Sequence, residues 1–306
     1  MTKRLKAPAI FNDYAHLPSQ HLSAKQIAPF DIKASSAMPK IILSIPHGGF
    51  HYAQELVPET YHYLPAMRSL EDSGTSLLKD MISLDEATIL SSPLSRALID
   101  LNRPASALDP QLYKDDLPPP DPKDRFTRYI QAGYGVAPRL SAQKTALYER
   151  NLDLASTEYL IKDFHKPYHD KLTSLLHKSA DYHGSVILMD IHSMPSHYGN
   201  KICPDFVFGD HFGQSLPSSL KEIISERMKM TAHSYGWNHP YAGGYITTHY
   251  GKLHGPIYAV QIEINRALYT KADTQISCDA LAMIADIISL LGEALKTQIG
   301  AKWAAE

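Results

Sequence analysis

The sequence predicts a three-layer α/β/α sandwich around a mixed, mostly parallel sheet. Short runs of aliphatic and β-branched residues alternate along the chain with stretches whose apolar residues recur at helical spacing. Runs that are apolar throughout fit strands buried on both faces of a parallel sheet. Because strands and helices alternate, we expect helices to cover both faces of the sheet.

Six runs are predicted as strands and three longer stretches as helices. The strands are residues 40–45 (KIILSI), 87–91 (ATILS), 97–101 (ALIDL), 185–190 (SVILMD), 204–208 (PDFVF) and 257–264 (IYAVQIEI). The helices are residues 73–84, 168–180 and 277–298, the last with Asp279 in its first turn. Residues 109–123 cluster proline and aspartate, so we predict a surface loop there, overhanging a site.

Composition limits the classes of function. The chain has 306 residues, 44% hydrophobic and 20% charged, and we predict one globular domain over residues 1–306. A net charge of −2, without a long basic run, gives no reason to expect a nucleic-acid or membrane partner. Cys203 and Cys278 form no disulfide framework, and residues 1–11 lack an apolar core of secretory length. We therefore expect a reduced, cytoplasmic setting, with a periplasmic one as the alternative that two thiols leave open.

Polar residues occur where several of these predicted strands end. In open α/β sheets, binding sites form at the carboxyl ends of the strands. The residues found there are His47, Asn102, Arg103, His192 and Glu263. We therefore expect a site at this edge of the sheet.

Two of these residues are candidate metal ligands. His47 lies in SIPHGGF, where two glycines permit a tight turn after a strand. His192 lies in LMDIHSMP, with Asp190 on the same strand face, where it can accept the second ring proton of a metal-bound imidazole. The plainer alternatives are a loop histidine packed near Pro46 and a buried Asp190–His192 hydrogen bond without a metal.

An acidic pair, Glu71 and Asp72, opens the predicted helix at 73–84. Acidic residues are common at that position because they favour the helix N-terminus. Either carboxylate is also a candidate third ligand, since two histidines, one carboxylate and a water form a recurrent catalytic zinc set. Another divalent ion is an alternative to zinc.

Glu263 in QIEINRALY places a carboxylate within an otherwise apolar run, which costs free energy unless the charge is paired or functional. It is either an ion-pair partner of Arg266 or a general base that takes a proton from water and delivers it to a leaving amine. Arg96, Asn102 and Arg103 in SRALIDLNRP can grip a substrate carboxylate or stabilise an oxyanion. The alternative for the arginines is a structural ion pair.

The chain resembles the N-formylglutamate amidohydrolase family in ten segments, in order from about residue 40 to 270. They are SIPHGGF, EDSGTSLL, SRALIDLNRP, AGYGVAPR, HKPYHDKL, LMDIHSMP, PDFVFGD, NHPYAGGYIT, HYGK and QIEINRALY. That family is similar in fold and site to zinc carboxypeptidases and aspartoacylases, with a phosphorylase/hydrolase-like fold. The resemblance implies hydrolysis of N-formyl-L-glutamate to L-glutamate and formate, an activity of histidine degradation, with one zinc ion.

The resemblance also implies the zinc ligands, which are His47, Asp72 and His192. Asp72 fits the family's Asp-x-Gly pattern better than Glu71 does. In carboxypeptidases the acidic ligand follows three residues after the first histidine, but Phe50 stands there in this chain. The acidic ligand must therefore come from further along the chain.

Other matched residues carry implied roles in catalysis and substrate binding. Asn102 and Arg103 are implied to hold the substrate carboxylate, Arg96 to face the scissile carbonyl, Glu263 to transfer the proton, and Arg139 and Tyr245 to make additional substrate contacts. Separately from the resemblance, His249, close to the GGYIT segment, is a candidate for touching the substrate. Two alternatives stay open: hydrolysis of another N-acyl amino acid or short peptide, and small-molecule binding without catalysis. The sequence predicts no oligomeric state.

Overall fold

The computed structural model describes residues 24–52, 64–271 and 275–299, so the prediction for residues 1–11 lies outside the described part. The strands of this part, in chain order, are β1 (Asp31–Lys33), β2 (Ile41–Ile45), β3 (Ala87–Ser91), β4 (Val186–Met194), β5 (His197–Tyr198), β6 (Lys201–Ile202), β7 (Phe206–Gly209), β8 (Tyr235–Trp237), β9 (Ile257–Asn265), β10 (Thr270–Lys271) and β11 (Gln275–Ile276). β5 pairs with β6, and β10 pairs with β11, as separate two-stranded sheets.

The other seven strands form one sheet, in the order β1-β3-β2-β4-β9-β7-β8. Its four central strands, β3, β2, β4 and β9, run parallel to one another. β1 is antiparallel to β3 at one edge, and β7 is antiparallel to β9 towards the other. The sheet is therefore mixed and mostly parallel, as predicted, and its central strands end at the same edge.

Helices cover both faces of this sheet. They are α1 (Leu64–Arg68), α2 (Thr75–Met81), α3 (Thr127–Gln131), α4 (Leu154–Leu160), α5 (Lys166–His183), α6 (Ser218–Lys229), α7 (Tyr245–Tyr250) and α8 (Cys278–Lys296). Alternate residues of a strand point to opposite faces. Leu188 of β4 therefore joins the core that includes residues of α5, whereas Met189 joins the core that includes residues of α2, α6 and α8. The predicted three-layer sandwich is confirmed.

The predicted helices at 73–84, 168–180 and 277–298 correspond to α2, α5 and α8. The predicted loop at 109–123 has a short 3-10 turn, Pro110–Leu112, and a single bridge at Tyr113. No helix within the described residues combines the length and the apolar character that crossing a bilayer requires.

Two details of the strand prediction were wrong. Residues 97–101 form a buried turn and not a strand: the backbone N of Asp100 donates to Val136 O at 2.7 Å, outside any strand ladder. The run is apolar because its aliphatic side chains are buried, and periodicity does not separate a buried strand from a buried turn. His192 lies within β4, which continues to Met194, and does not follow the strand.

Candidate active site

The carboxyl halves of the central strands carry polar side chains on one face of the sheet. In the β4–β9 register, Asp190 is opposite Gln261 and His192 is opposite Glu263. All four side chains are buried, and the same face is apolar nearer the start of each strand. Because side chains alternate between the two faces of a strand, these four polar side chains lie on one face near the edge where the strands end. We call this group of four side chains the floor of the site.

The turn after β2 brings a histidine and an acid to this floor. Gly48 in the turn packs so closely under α2 that a Cβ there would lie 2.7 Å from the backbone N of Ser76. A side chain at this position would therefore displace the helix. The backbone N–H of Asp72 donates to His47 O at 3.1 Å, which fixes the acid beside the histidine.

Three possible ligand atoms converge at this point. His47 Nδ1 and His192 Nδ1 lie 3.1 Å apart, and Asp72 Oδ2 lies 3.4 Å from the first and 3.1 Å from the second. All three residues are buried. Tetrahedral zinc with ligands at its usual bond lengths separates them by about 3.3 Å, so these spacings fit such an ion.

The outer nitrogens of both imidazoles contact carboxylates. His47 Nε2 donates to Asp100 Oδ1 at 2.7 Å, and His192 Nε2 donates to Asp190 Oδ2 at 2.9 Å. With the ring protons on these nitrogens, both Nδ1 lone pairs point towards each other and towards Asp72. In this tautomer the three groups present electron pairs to one point, so the donor set fits a divalent metal ion.

The charges around His192 and Asp72 support the same reading. Burial alone lowers the pKa of His192, but the adjacent Asp190 charge and hydrogen bond and the Asp72 carboxylate raise it well above its ordinary value. Burial alone raises the pKa of Asp72, but hydrogen bonds and charge from both histidines lower it overall. The site therefore favours a bound positive charge.

Glu71 does not join this group. Its carboxylate accepts a hydrogen bond from Tyr52 OH and lies 3.5 Å from Ser95 Oγ. Burial raises the pKa of Glu71 to about 7. The geometry therefore brings Asp72, and not Glu71, to the two histidines.

Glu263 and Arg96 both border the space next to this centre. Glu263 Oε1 accepts a hydrogen bond from Gln261 Nε2 at 2.7 Å, and burial raises the pKa of Glu263 to about 7. Arg96 Nη2 donates to Asp100 Oδ2 at 2.8 Å, and its buried Nε has no hydrogen-bond partner among the described residues. Both groups thus retain hydrogen-bonding capacity towards a ligand.

Asn102 and Arg103 line the same space but also make bonds within the protein. Asn102 Oδ1 accepts from the backbone N of Ile246 at 2.8 Å, and Asn102 Nδ2 lies 3.2 Å from His192 Nε2. Arg103 donates from Nε to Tyr134 O at 3.1 Å and from Nη1 to Asn102 O at 2.8 Å. The second terminal nitrogen of Arg103 makes no hydrogen bond to the part of the chain that the structure describes, so it can bind a ligand.

The structure places Arg139 and Tyr245 away from the lining of this space. Arg139 Nε donates to Asp109 Oδ2 at 2.8 Å, as part of an ion pair. The ring of Tyr245 packs against Phe126 and stacks on His249. The residues brought together are therefore the two histidines, Asp72, Arg96, the Asn102–Arg103 pair and Glu263.

Sequence reasoning missed two histidines that hold the Asn102–Arg103 segment. His165 Nε2 donates to Arg103 O at 2.8 Å, and His169 Nε2 donates to Leu101 O at 2.9 Å. They are one turn apart, where a π-helical turn (Ile161–His165) leads into α5. The segment HKPYHDKL carries this spacing, which was the available signal.

Replacing His169 by phenylalanine should weaken this hold. Phenylalanine keeps the ring but loses the bond to Leu101 O and the contact of Nδ1 with Tyr250 OH at 2.9 Å. We expect the free energy of unfolding at pH 7 to fall by about 2 kcal/mol. Urea unfolding measures it, with His177→Phe, an exposed position on α5, as the control that changes by less than about 0.5 kcal/mol.

The pH dependence of stability gives a second readout of His169. Burial and the neighbouring His165 lower the pKa of His169 from 6.5 to about 3. Between pH 6.5 and pH 3, His169 is protonated in the unfolded chain but not in the folded chain. Because the unfolded chain binds the additional proton, this residue makes the free energy of unfolding fall as the pH drops. His169 contributes about 2 kcal/mol to the decrease in the free energy of unfolding between pH 7 and pH 5. This contribution should be absent in His169→Phe. If the variant showed the same pH dependence of stability as the wild type, His169 would not have the lowered pKa.

A cleft of about 1460 Å³ opens above the buried residues. Besides Arg96, the cationic side chains that line it are Arg103, Lys123, Arg125, Arg128, Lys144 and Arg266. The acidic side chains on the same lining are Asp72, Asp124 and Glu263. This excess of positive charge favours an anionic ligand.

Comparison with known proteins gives consistent matches. The family model for N-formylglutamate amidohydrolase matches residues 40–270. An N-formylglutamate deformylase from Pseudomonas putida is 28% identical over 246 residues, which cover 75% of this chain and 81% of the relative. One from Pseudomonas aeruginosa is 26% identical over 238 residues, with coverage of 75% and 81%.

A solved structure shares the fold. The crystal structure of an N-formylglutamate amidohydrolase from Ralstonia eutropha JMP134 matches with a TM-score of 0.79 at 24% identity. The match covers 89% of this chain and 99% of that one.

Proposed function

Because the chain belongs to the N-formylglutamate amidohydrolase family, we propose that it hydrolyses the amide bond of an N-formyl acidic amino acid. N-formyl-L-glutamate is the first candidate substrate, giving L-glutamate and formate. The observation that carries the proposal is the convergence of His47, Asp72 and His192 beside Glu263, at the floor of a cationic cleft.

We further propose that the site takes one divalent ion, zinc in the first instance, with His47, Asp72 and His192 as its ligands. The facing Nδ1 lone pairs and the supporting carboxylates of Asp100 and Asp190 favour this choice. When bound, zinc would acidify a water molecule and polarise the formyl carbonyl.

The protein's own groups supply the proton transfers. Glu263 is the proposed base that accepts a proton from the attacking water and then delivers it to the departing amide nitrogen. Its carboxylate oxygen is oriented by Gln261, whose own Oε1 is fixed by the backbone N of Gly244 at 2.7 Å. Arg96 is the proposed donor to the oxygen of the former carbonyl as negative charge grows there.

Asn102 and Arg103 are proposed to bind a carboxylate of the substrate. The carbonyls of Leu101 and Arg103 accept hydrogen bonds from His169 and His165, so the segment between them has a fixed path. Such fixing favours catalysis because a substrate held in one orientation loses less entropy in the transition state.

Formate release by the purified, zinc-loaded protein tests the function. We expect turnover of N-formyl-L-glutamate and little turnover of N-acetyl-L-glutamate at equal concentration. Faster turnover of an acetyl or peptide substrate would transfer the assignment to another N-acyl amino acid, the alternative that the sequence leaves open. If the protein bound these compounds but hydrolysed none of them, the proposal that it is an enzyme would be wrong. The role in histidine degradation and the cytoplasmic location stay predictions.

A further inference from the structure

Three arginines contact two neighbouring aromatic rings in the cleft wall: Arg103 and Arg128 lie over Tyr129, and Arg125 lies over Phe126. The guanidinium carbon of Arg103 lies 4.3 Å from the centroid of Tyr129, and that of Arg128 lies 4.8 Å from it. Arg125 belongs to the same segment and also lines the cleft. Burial lowers the pKa of both Arg103 and Arg125, and the nearby charge of Arg128 is among the further causes that lower each. The three cations are therefore close enough to repel one another.

None of the three has a carboxylate at ion-pair distance among the described residues. Arg125 Nη1 lies 3.1 Å from His211 Nε2, and Arg128 Nη2 donates to Tyr129 OH at 3.0 Å, so both have neutral partners. The neighbouring acid, Asp124, uses its carboxylate to accept from the backbone N of Phe126 at 2.8 Å. A cluster of guanidinium groups without a counter-ion is typical of a site that receives an anion from outside.

The cluster is connected to the floor of the site by a short path. Arg125 Nη2 lies 3.5 Å from Gly243 O, and the next residue, Gly244, donates its backbone N–H to Gln261 Oε1. Gly244 also packs so closely on Asn102 that a Cβ would lie 2.3 Å from Asn102 Nδ2. The guanidinium of Arg125 is thus one residue removed from the contacts that position Asn102 and Gln261.

We propose that Arg125, assisted by Arg128, binds the side-chain carboxylate of the amino acid and so selects acidic substrates over their amides. The inference rests on the proposed function, in which Asn102 and Arg103 hold the other carboxylate. A substrate with two carboxylates needs two cationic partners, and Arg125 and Arg128, which line the same cleft as Arg103, supply the second. An amide of equal size leaves these guanidinium groups without a counter-ion.

The test compares N-formyl-L-glutamate with N-formyl-L-glutamine, which has the same shape without the side-chain charge. The wild type should prefer the glutamate compound in kcat/KM. Arg125→Gln should lower kcat/KM for N-formyl-L-glutamate by about 10- to 100-fold, the value of a charge-assisted hydrogen bond. Its kcat/KM for N-formyl-L-glutamine should change by less than about threefold.

The matched control is Lys144→Gln. Lys144 also lines the cleft, but its ammonium lies over the ring of Tyr134 and donates to Ala132 O at 3.4 Å, outside the arginine cluster. We expect a change of less than about threefold on either substrate. Arg128→Gln should shift the preference in the same direction as Arg125→Gln, and it replaces that variant if the latter does not fold.

The outcomes separate the two proposals. Equal losses on both substrates in Arg125→Gln and Arg128→Gln would overturn the selectivity assignment, and so would a wild type that hydrolyses both compounds equally well. In either case the formyl hydrolase function stands. Absence of formate release from every formyl compound would instead refute the proposed function.

Discussion

Glu263→Gln is expected to lower kcat for formate release by about 10³-fold. The glutamine side chain has the same shape, and its oxygen can still accept the 2.7 Å hydrogen bond from Gln261 Nε2. An amide does not take up a proton near neutral pH, so the variant loses the proposed transfer from water to the amide nitrogen. The loss should fall on kcat more than on KM, because the carboxylate acts in the transition state.

Glu263→Asp is the matched variant for this prediction. It keeps a carboxylate but withdraws it by one methylene, about 1.5 Å. We expect a smaller loss, about 10- to 100-fold, because the proton acceptor is present but misplaced. Thermal unfolding and zinc content, measured on both variants, distinguish lost chemistry from lost structure. Full activity of Glu263→Gln would exclude the proposed base.

The strand-end part of the site was predictable because it depends on short-range geometry. Asp190 and His192 share a face in any strand, since side chains alternate with a period of two. The carboxylate of Glu263 was recognisable because a charge within an apolar run costs free energy unless it is paired or functional. Burial of the run on both faces of the sheet requires helices on both sides, so the three-layer fold followed as well.

The remaining parts depend on contacts that no local pattern encodes. Asp100, which fixes the ring of His47, lies 53 residues away in sequence and inside a run that the apolar pattern assigned to a strand. The choice of Asp72 over Glu71 depends on one backbone bond from Asp72 N to His47 O. Arg139 matches a family segment, yet it pairs with Asp109, from the far side of an irregular loop.

The arginine cluster was missed because it lies in and just after that irregular region. Arg125 and Arg128 follow the loop at 109–123, which was predicted to overhang a site, but no local pattern in this stretch of mixed charges and prolines singles out the two arginines. Tertiary packing brings these arginines to the cleft wall, where Arg103, just after the buried turn at 97–101, lies over the Tyr129 ring that Arg128 also contacts. This wall of the cleft is formed by chain segments that are distant in sequence. Secondary-structure propensity does not predict which of these segments come together.

Zinc is expected to raise the melting temperature of the wild type by roughly 5–10 °C at a thousandfold excess over its Kd, and not to raise that of Asp72→Asn. The Nδ1 atoms of His47 and His192 lie 3.1 Å apart, and His192 Nδ1 lies 3.1 Å from the Asp72 carboxylate. An ion held by all three groups would bind the folded chain in preference to the unfolded chain, and so stabilise it. Asparagine at position 72 removes the negative charge that the ion needs most, so zinc should bind far more weakly.

Glu71→Gln is the matched control for the metal prediction. Glu71 adjoins Asp72 in sequence and is equally buried, but its carboxylate faces Tyr52 and Ser95. The variant should keep stoichiometric zinc, measured by elemental analysis after dialysis, together with the zinc-dependent rise in melting temperature. If Glu71→Gln lost the metal and Asp72→Asn kept it, the ligand assignment would move to Glu71. If neither variant nor His192→Ala changed zinc binding, the three converging side chains would not be a metal site, and the proposed hydrolysis would need another source of activated water.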